Sequence, residues 1–314
     1  MKTIEELKEF YNSDLMGDLK VLEEARTKIA KKLILINILC GIGLILPIIL
    51  FFIIPLLGII LGIGIIVLWI FLAIKASKGY KSDFKSKIIH RIIKFIDKNL
   101  EYFPEDKITE VQYMASRLFP RTPDRYNGDD YVRGKIGETE IEFSEIHSEY
   151  KTESKNGTQW HTIFKGLFFI ANFNKKFKSE TMVLPDVAQK MFGNLIGNFL
   201  QGMNKFRGEL IKMDDPEFEK LFVVYGKDQI EARYILTPSL MKRITEFQKK
   251  SKKSIYLSFI NNKIYVAISY YKNLFEPKIF STLINFDLIK EYYEDMSLAI
   301  GIVEELNLNT RIWG

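Results

Sequence analysis

The chain has 314 residues, 47% of them hydrophobic, with a formal net charge of +6 at pH 7 and a single cysteine. This hydrophobic content excludes an intrinsically disordered chain. The lone Cys40 excludes an intramolecular disulfide, which suits a reducing compartment. The modest positive charge favours anionic lipid headgroups as a partner over nucleic acid, for which the sequence contains no recognisable binding motif.

Residues 1–32 predict an N-terminal helix, because apolar residues recur at steps of mostly three and four between Ile4 and Ile29. Thr3 is the expected N-cap, and acidic residues follow it in the first turn. The pattern differs from a secretory signal, in which a short apolar run directly follows a basic start. We therefore expect this arm to be a cytoplasmic helix of the mature protein.

The central feature of the sequence is an uncharged apolar stretch over residues 33–74. One helix of this length would be about 63 Å long, whereas about 20 residues suffice to cross a bilayer core of about 30 Å. Pro47 and Pro55 favour a turn between them, because proline kinks or ends helices. We therefore predict a transmembrane hairpin with spans from Leu33 to Leu50 and from Leu56 to Ile74. A turn without polar residues also suits a re-entrant hairpin.

Lysines flank both ends of this stretch, and none lies in the predicted turn. Lys31 and Lys32 precede the first span, and Lys75, Lys78 and Lys81 follow the second. The positive-inside rule therefore predicts that both termini are cytoplasmic and that these lysines lie at a membrane surface.

Small and polar residues within the spans each have two interpretations. Gly58 and Gly62 form a small-x-x-x-small pair, which is typical either of close packing between the two spans or of self-association into a homo-oligomer. Asn37 is expected to form a hydrogen bond across the hairpin rather than to line a pore. Because the spans contain no charge, the pattern does not favour a transporter.

Residues 75–130 are predicted to form a juxtamembrane helix and a linker. Between residues 81 and 100, isoleucines recur at helical spacing while lysines and arginine occupy much of the other face. Such a basic amphipathic helix either touches lipid or packs on the rest of the protein. The linker that follows is interrupted by Pro104, Pro120 and Pro123.

From Tyr131 the apolar pattern changes to a period of two, which indicates β-strands. We predict a domain over residues 131–314 with a sub-boundary near residues 186–210, in which an antiparallel β meander forms a small barrel or sandwich with flanking helices. The fold class is therefore α+β, with an N-terminal helix and a two-helix transmembrane hairpin ahead of a cytoplasmic domain. Further expectations are a loop at residues 152–159, an extended segment at 232–236, helices at 192–206, 238–250 and 287–306, and a two-residue hairpin at Asn261-Asn262.

No sequence motif indicates a catalytic or cofactor site. The chain lacks a phosphate-binding P-loop, a dinucleotide-binding glycine motif, a nucleophile elbow and a His-Glu-x-x-His zinc motif. His147 and His161 could face each other across a hairpin and hold a metal with Glu145 or Glu149, but such residues are usually only cross-strand neighbours. We therefore predict no catalytic, cofactor-binding or metal site.

Four motifs resemble a known family. They are Phe164-Lys-Gly-Leu-Phe-Phe, Asp215-Pro-Glu-Phe-Glu-Lys-Leu-Phe, Asp228-Gln-Ile-Glu-Ala-Arg-Tyr-Ile-Leu-Thr-Pro and Leu306-Asn-Leu-Asn-Thr-Arg-Ile-Trp. Together with the two leading spans, they are similar to a family of two-span bacterial membrane proteins, the domain of unknown function 3137 family. The resemblance implies a location in the bacterial inner membrane and a large cytoplasmic domain. It brings no established activity, cofactor or catalytic residue to this chain.

These features favour a non-enzymatic, membrane-anchored scaffold or adaptor that displays a cytoplasmic domain to other membrane or cytoplasmic proteins. An alternative is a membrane-bound enzyme or ligand-binding sensor with an unrecognised site. Asp228, Glu231 and Arg233 are the weak candidates for that site, and a salt-bridged turn is the structural interpretation of the same residues. A third interpretation is a subunit of a pore or transport assembly, which requires oligomerisation through Gly58 and Gly62.

Overall fold

A computed structural model describes residues 2–155, 157–172, 177–186, 208–306 and 308. The chain divides into two compact units. The helical unit comprises Lys2–Ile92 together with Phe275–Tyr293, which returns to it from far along the chain. The sheet unit comprises the described residues of Ile93–Leu274 and Glu294–Gly314.

The helical unit begins with α1 (Ile4–Phe10), one turn of π-helix (Tyr11–Leu15) and α2 (Met16–Gly43). Thr3 caps α1, as predicted, because its hydroxyl accepts the Glu6 N–H at 3.2 Å and the Glu6 carboxylate accepts the Thr3 N–H at 2.7 Å. The predicted N-terminal helix is therefore confirmed, and it runs without a break into the apolar stretch.

The apolar stretch forms a helical hairpin, as predicted, from the end of α2, α3 (Ile45–Ile53) and the start of α4 (Pro55–Phe84). Helical hydrogen bonding continues from α2 into α3, since the Leu44 N–H donates to the Cys40 carbonyl at 3.0 Å. Pro47 has no N–H, so the helix is distorted at this point. The chain reverses at Ile54, where φ is −134° and ψ is 84°. The first apolar arm thus extends to Ile53 rather than ending at Leu50, and the turn lies at the C-terminal end of the predicted window.

The sheet unit contains a single antiparallel sheet with the strand order β1-β2-β3-β4-β9-β8-β5-β7-β6 over the described residues. The strands are β1 (Glu101–Phe103), β2 (Arg125–Ile136), β3 (Thr139–Ser154), β4 (Gly157–Asn172), β5 (Thr181–Pro185), β6 (Glu209–Ile211), β7 (Phe222–Gly226), β8 (Ile255–Ile260) and β9 (Lys263–Ser269). The predicted α+β class is confirmed. The sheet is open over the described residues, with β1 and β6 at its edges, so it is not closed into a barrel, which was one of the two predicted arrangements.

The remaining helices precede, interrupt and follow these strands. Among the described residues they are a second π-helical turn (Lys85–Ile89), α5 (His90–Ile96), α6 (Glu110–Ala115), α7 (Pro216–Glu219), α8 (Gln229–Ile235), α9 (Pro238–Ser251), α10 (Phe286–Ile300) and α11 (Ile302–Glu305). The predicted cap of α9 is confirmed, because the Thr237 hydroxyl accepts the Leu240 N–H at 3.3 Å. The predicted hairpin is also confirmed, with Asn261 at a φ of +59° between β8 and β9. The helix predicted at residues 192–206 lies outside the described residues.

Two local predictions are wrong. The segment expected to be a loop at residues 152–159 continues β3 and β4, with Thr152 paired to Gln159 and Ser154 to Gly157. Its polar side chains are typical of a loop, but the segment is held in the sheet by hydrogen bonds between the two strands rather than by burial. The segment expected to be extended at residues 232–236 lies mostly in α8, because the Asp228 carboxylate caps the helix start that the apolar spacing alone did not reveal.

Aromatic side chains form much of the core of the sheet unit. Tyr113 of α6 is 1% exposed and stacks on Phe119 with ring centroids 5.5 Å apart. The same ring lies 5.2 Å from the ring of Phe168 in β4, and its hydroxyl is 2.8 Å from the Ser148 hydroxyl. This packing fixes α6 against the sheet.

Candidate functional site

The helical hairpin has apolar arms whose side chains are largely exposed. The two helices, Ile4–Ile53 and Pro55–Ile96, are long and apolar enough to cross a membrane, yet only 11% and 6% of their most apolar segments are buried. Ile38, Phe52 and Val67 are 54%, 80% and 60% exposed. The core helices of a soluble protein would instead be mostly buried. Soluble proteins rarely expose contiguous apolar surface on this scale unless it binds a membrane or a partner.

The two arms of the hairpin are joined by close packing at Gly58. A Cβ atom at Gly58 would lie 2.6 Å from the Phe51 Cα and 2.7 Å from the Pro47 carbonyl oxygen, so only glycine allows this approach of α3 and α4. At Gly62 the nearest neighbour is the Pro47 Cβ, at 3.8 Å. Gly58 therefore serves packing within one hairpin, the first of the two interpretations of the glycine pair.

A hydrogen bond also joins the arms, as predicted for Asn37. The Trp69 indole N–H of α4 donates to the Asn37 side-chain oxygen of α2 at 2.7 Å. This bond satisfies two polar groups on a surface that is otherwise apolar. It also fixes the pairing of the two helices at the end of the hairpin opposite the turn.

Most of the predicted surface lysines lie exposed at this open end. Lys31 and Lys32 on α2 and Lys75 and Lys78 on α4 are exposed. The Lys81 ammonium instead forms an ion pair with the Glu276 carboxylate at 2.8 Å. The structure thus brings the lysines of both flanks to the same end of the hairpin. They lie next to the polar turns that precede the apolar arm in α2 and follow it in α4.

Residues 276–285, here called the return loop, pack on these polar turns. Glu276 pairs with Lys81 and, at 3.3 Å, with the largely buried Lys85. The Arg26 guanidinium donates to the Ile279 carbonyl at 2.7 Å. The return loop is therefore attached to both α2 and α4.

Glu23 completes this attachment. Its carboxylate accepts two hydrogen bonds from the Arg26 guanidinium, at 2.7 and 2.8 Å, and one from the Leu283 N–H at 2.9 Å. The hydrogen bond from Arg26, aided by that from Leu283, outweighs partial burial and lowers the pKa of the Glu23 carboxyl. No sequence pattern indicates this contact, because its partners are far apart along the chain.

The three candidate residues of the enzyme or sensor hypothesis contact different groups. Asp228 caps α8 by accepting the Ile230 and Glu231 N–H groups at 2.8 and 3.1 Å. Glu231 accepts the Lys178 and Ser179 N–H groups at 2.8 and 2.6 Å. Arg233 forms an exposed ion pair with Asp214 at 2.7 Å. Asp228 and Glu231 hold backbone segments, and the three side chains do not converge on a common site.

The two histidines considered for metal binding, His147 and His161, pair with other residues. His147 lies opposite Lys165 and His161 opposite Tyr150, so the two histidines do not face each other. His161 stacks on Tyr150 with ring centroids 4.9 Å apart and lies 2.9 Å from the Thr152 hydroxyl. Both histidines are thus cross-strand neighbours of other residues.

An acidic cluster that the sequence did not predict lies between β2 and β3. Carboxylate oxygens of Asp129, Asp130 and Glu145 lie within 4.8 Å of one another, and the last two residues are buried. Asp130 has a φ of +58° at a β-bulge, which breaks the alternation of side chains and was invisible to the period-two pattern. Asp130 accepts a hydrogen bond from the Tyr102 hydroxyl, and Glu145 accepts the Leu274 N–H at 2.7 Å. Oxygen ligands of this kind suit hard cations.

A groove of about 480 Å³ also opens on the sheet, beside β2, β3 and β4. Its polar lining is internally paired, since Glu142 accepts hydrogen bonds from the Tyr131 hydroxyl at 2.9 Å and the Gln112 amide at 2.8 Å. Burial and the hydrogen bond to Glu142 raise the pKa of Tyr131 to about 12. Within the groove, the Glu142 carboxylate is therefore already bound by hydrogen bonds from Tyr131 and Gln112.

Comparison with known proteins identifies a family for the C-terminal part of the chain. No curated protein sequence matches the chain. The chain is similar to the crystal structure of the mycobacterial trehalose monomycolate transport factor A, TtfA, with 11% identity over 67% of this chain and 94% of that chain, and a TM-score of 0.34. A TM-score this low establishes neither a shared fold nor a shared function. Residues 162–308 match the model of a family described as protein of unknown function, DUF3137. This match confirms the resemblance of the motifs to that family over residues 162–308.

Proposed function

We propose that this protein is a non-enzymatic scaffold or adaptor, anchored in the bacterial inner membrane by its helical hairpin and displaying a cytoplasmic α+β domain to other proteins. The observation that carries this proposal is the exposure of the apolar arms. Only 11% of the most apolar segment of the first helix and 6% of that of the second are buried. In water these surfaces would drive aggregation, whereas in lipid they are solvated by acyl chains.

The dimensions of the hairpin support a complete crossing rather than a re-entrant one. The apolar arms, residues 33–53 and 55–74, contain about 20 residues each, which gives a length of about 30 Å. A typical hydrocarbon core has the same thickness. Helical hydrogen bonding across Leu44 supports a single first arm, and the turn at Ile54 then lies at the far interface.

The lysines at the open end support the proposed orientation. Lys31, Lys32, Lys75 and Lys78 are exposed there, and the turn between the arms contains no charge. Lysines next to a span are retained on the cytoplasmic side. Each lysine near an anionic surface contributes about 1 kcal/mol of attraction. Both termini are therefore proposed to be cytoplasmic, at a membrane rich in anionic lipid.

A scaffold or adaptor is favoured over an enzyme by the roles of the residues that first suggested chemistry. Asp228 and Glu231 hold backbone N–H groups, and Arg233 forms an exposed ion pair. These are contacts of a stable framework. The proposed partners of the displayed domain are other membrane or cytoplasmic proteins.

Membrane insertion and orientation are tested in cells. The full chain is expected to remain in the membrane pellet after extraction with alkaline carbonate. Replacement of Ile60 by Arg, in the middle of the second arm, is expected to release a large fraction, whereas Val21→Arg on the polar part of α2 is the matched control. A green fluorescent protein fused after Gly314 should fluoresce. An alkaline phosphatase fusion that is active there, or full release by carbonate, would overturn the proposal.

The adaptor role is tested by cross-linking in intact membranes followed by purification of the full chain. A specific protein partner is expected to be recovered, and its recovery should not depend on any small-molecule turnover. Recovery of lipid alone, or a purified protein that converts a substrate, would contradict the scaffold proposal and favour the sensor or enzyme hypothesis.

A further inference from the structure

The return loop, residues 276–285, exposes two apolar side chains beside the base of the hairpin. Phe280 is 68% exposed and Ile284 is 39% exposed. Leu283, between them, is fully buried, so the loop is folded and packed at one point while it presents apolar groups at two others.

Contacts with α2 determine how far this loop lies from the apolar stretch. The Ile279 carbonyl is held by Arg26 and the Leu283 N–H by Glu23. Arg26 precedes the first apolar residue, Leu33, by two turns of helix, which corresponds to about 10 Å along the axis. The headgroup region extends about 5–8 Å beyond the hydrocarbon core on each side. The attached backbone is therefore a few ångströms beyond the outer edge of the headgroups, and its side chains are the groups that face them.

Contacts with α4 give the same distance independently. Glu276 at the start of the loop pairs with Lys81 at 2.8 Å. Lys81 follows the last apolar residue, Ile74, by two turns, again about 10 Å. Two attachments at equal distance from the apolar arms hold the loop across the base of the hairpin, where it is within reach of lipid.

The chemistry at this level suits an anionic interface. Lys28, Lys31 and Lys32 are exposed on the same turns of α2 and would pair with anionic headgroups. Transfer of a phenylalanine side chain from water into an apolar environment is favourable. Aromatic and aliphatic groups next to basic residues are typical of surfaces that bind lipid interfaces.

We propose that the return loop is an interfacial membrane contact, in which Phe280 and Ile284 insert among the headgroups of an anionic bilayer next to the hairpin. This inference rests on the proposed insertion of the hairpin. The occupant of this apolar surface is thus the lipid bilayer itself, because the loop is attached beside the base of the hairpin, next to exposed lysines that suit anionic headgroups.

The experiment uses the full chain with Cys40 replaced by Ser, reconstituted in nanodiscs of phosphatidylethanolamine and phosphatidylglycerol. A nitroxide is attached to a single cysteine introduced as Phe280→Cys, Ile284→Cys, Ile60→Cys or Val21→Cys. Ile60 is a lipid-facing reference in the hairpin, and Val21 is an exposed residue about 18 Å below Leu33. Collision with oxygen reports lipid, and collision with a water-soluble nickel complex reports water.

At Phe280 and Ile284 we expect oxygen collisions to exceed nickel collisions, as at Ile60, and the ratio to reverse at Val21. Nickel-dominated collisions at Phe280 and Ile284, with Ile60 in lipid, would overturn the inference and leave the anchor intact. Nickel-dominated collisions at Ile60 would overturn the proposed function itself. Because both loop residues are exposed, unchanged circular dichroism of the variants is expected and is measured alongside.

Discussion

The Asn37 side-chain oxygen accepts a 2.7 Å hydrogen bond from the Trp69 indole N–H, and this bond connects the two arms of the hairpin. Both groups lie on exposed, otherwise apolar helix faces. In a hydrocarbon environment each group would lack a partner if the other were removed. The pair therefore stabilises one particular alignment of α2 and α4.

Replacement of Trp69 by Phe is expected to lower the free energy of unfolding in detergent or bilayer by about 1 kcal/mol, the usual size of an interhelical hydrogen bond in membranes. The measurement is reversible unfolding of the full chain in mixed micelles. A double-mutant cycle with Asn37→Leu isolates the interaction, because the loss in the double variant should be smaller than the sum of the single losses. Fully additive losses would show that the two side chains do not interact.

The glycine pair predicts a large difference between neighbouring substitutions. Gly58→Ala would place a Cβ 2.6 Å from the Phe51 Cα, so α3 and α4 must separate. Overpacking of this kind typically costs about 1–3 kcal/mol.

Gly64 is the matched control, because a Cβ there has no neighbour within 4 Å. Gly64→Ala is expected to be neutral or to stabilise the helix by up to about 1 kcal/mol. The same unfolding measurement compares the two variants. Equal effects would contradict close packing at Gly58 and return self-association to consideration.

Local features of the hairpin were predictable from the sequence, whereas non-local pairings were not. The position of the turn, the hydrogen bond that Asn37 accepts and the packing of Gly58 follow from proline, polar and small residues, whose chemistry is unusual inside an apolar stretch. The order of the strands does not follow from periodicity, which gives only the face of each side chain. Nothing in the local pattern indicates that β9 pairs with β4, or that β5 lies between β8 and β7.

The base of the hairpin likewise combines features that the sequence predicts with one that it does not. The lysines on both flanks are evident from the sequence. The return loop is not, because Glu23 and Leu283 are 260 positions apart and their contact involves a backbone N–H. The charges of Asp228, Glu231 and Arg233 suggest a site, but all three side chains form hydrogen bonds with backbone groups. Charge in a sequence indicates a need for partners without identifying whether the partner is a ligand or the protein itself.

Asp228 and Arg233 are expected to differ in their contribution to stability. Asp228→Ala removes the N-cap of α8 and is expected to cost about 1 kcal/mol. Arg233→Ala removes an exposed ion pair with Asp214 and an exposed hydrogen bond to the Lys212 carbonyl, and it is expected to change stability by less than about 0.5 kcal/mol. Thermal unfolding of the full chain compares the two variants. A larger loss for Arg233→Ala, or loss of partner binding without loss of stability for Asp228→Ala, would indicate a functional role instead.

The contact between Glu23 and the return loop is expected to weaken in acid. Because the hydrogen bond from Arg26 lowers the pKa of Glu23 in the folded state, its carboxylate stabilises the fold fully above the unfolded value of 4.5. That stabilisation is lost as the pH falls through the lower, folded value. Thermal unfolding between pH 7 and acid should therefore depend less on pH for Glu23→Gln than for the wild type. Glu24→Gln, at an exposed neighbouring residue, is the control and should show the same dependence of thermal unfolding on pH as the wild type. If Glu23→Gln also showed the wild-type dependence on pH, Glu23 would not hold the return loop through its charged form.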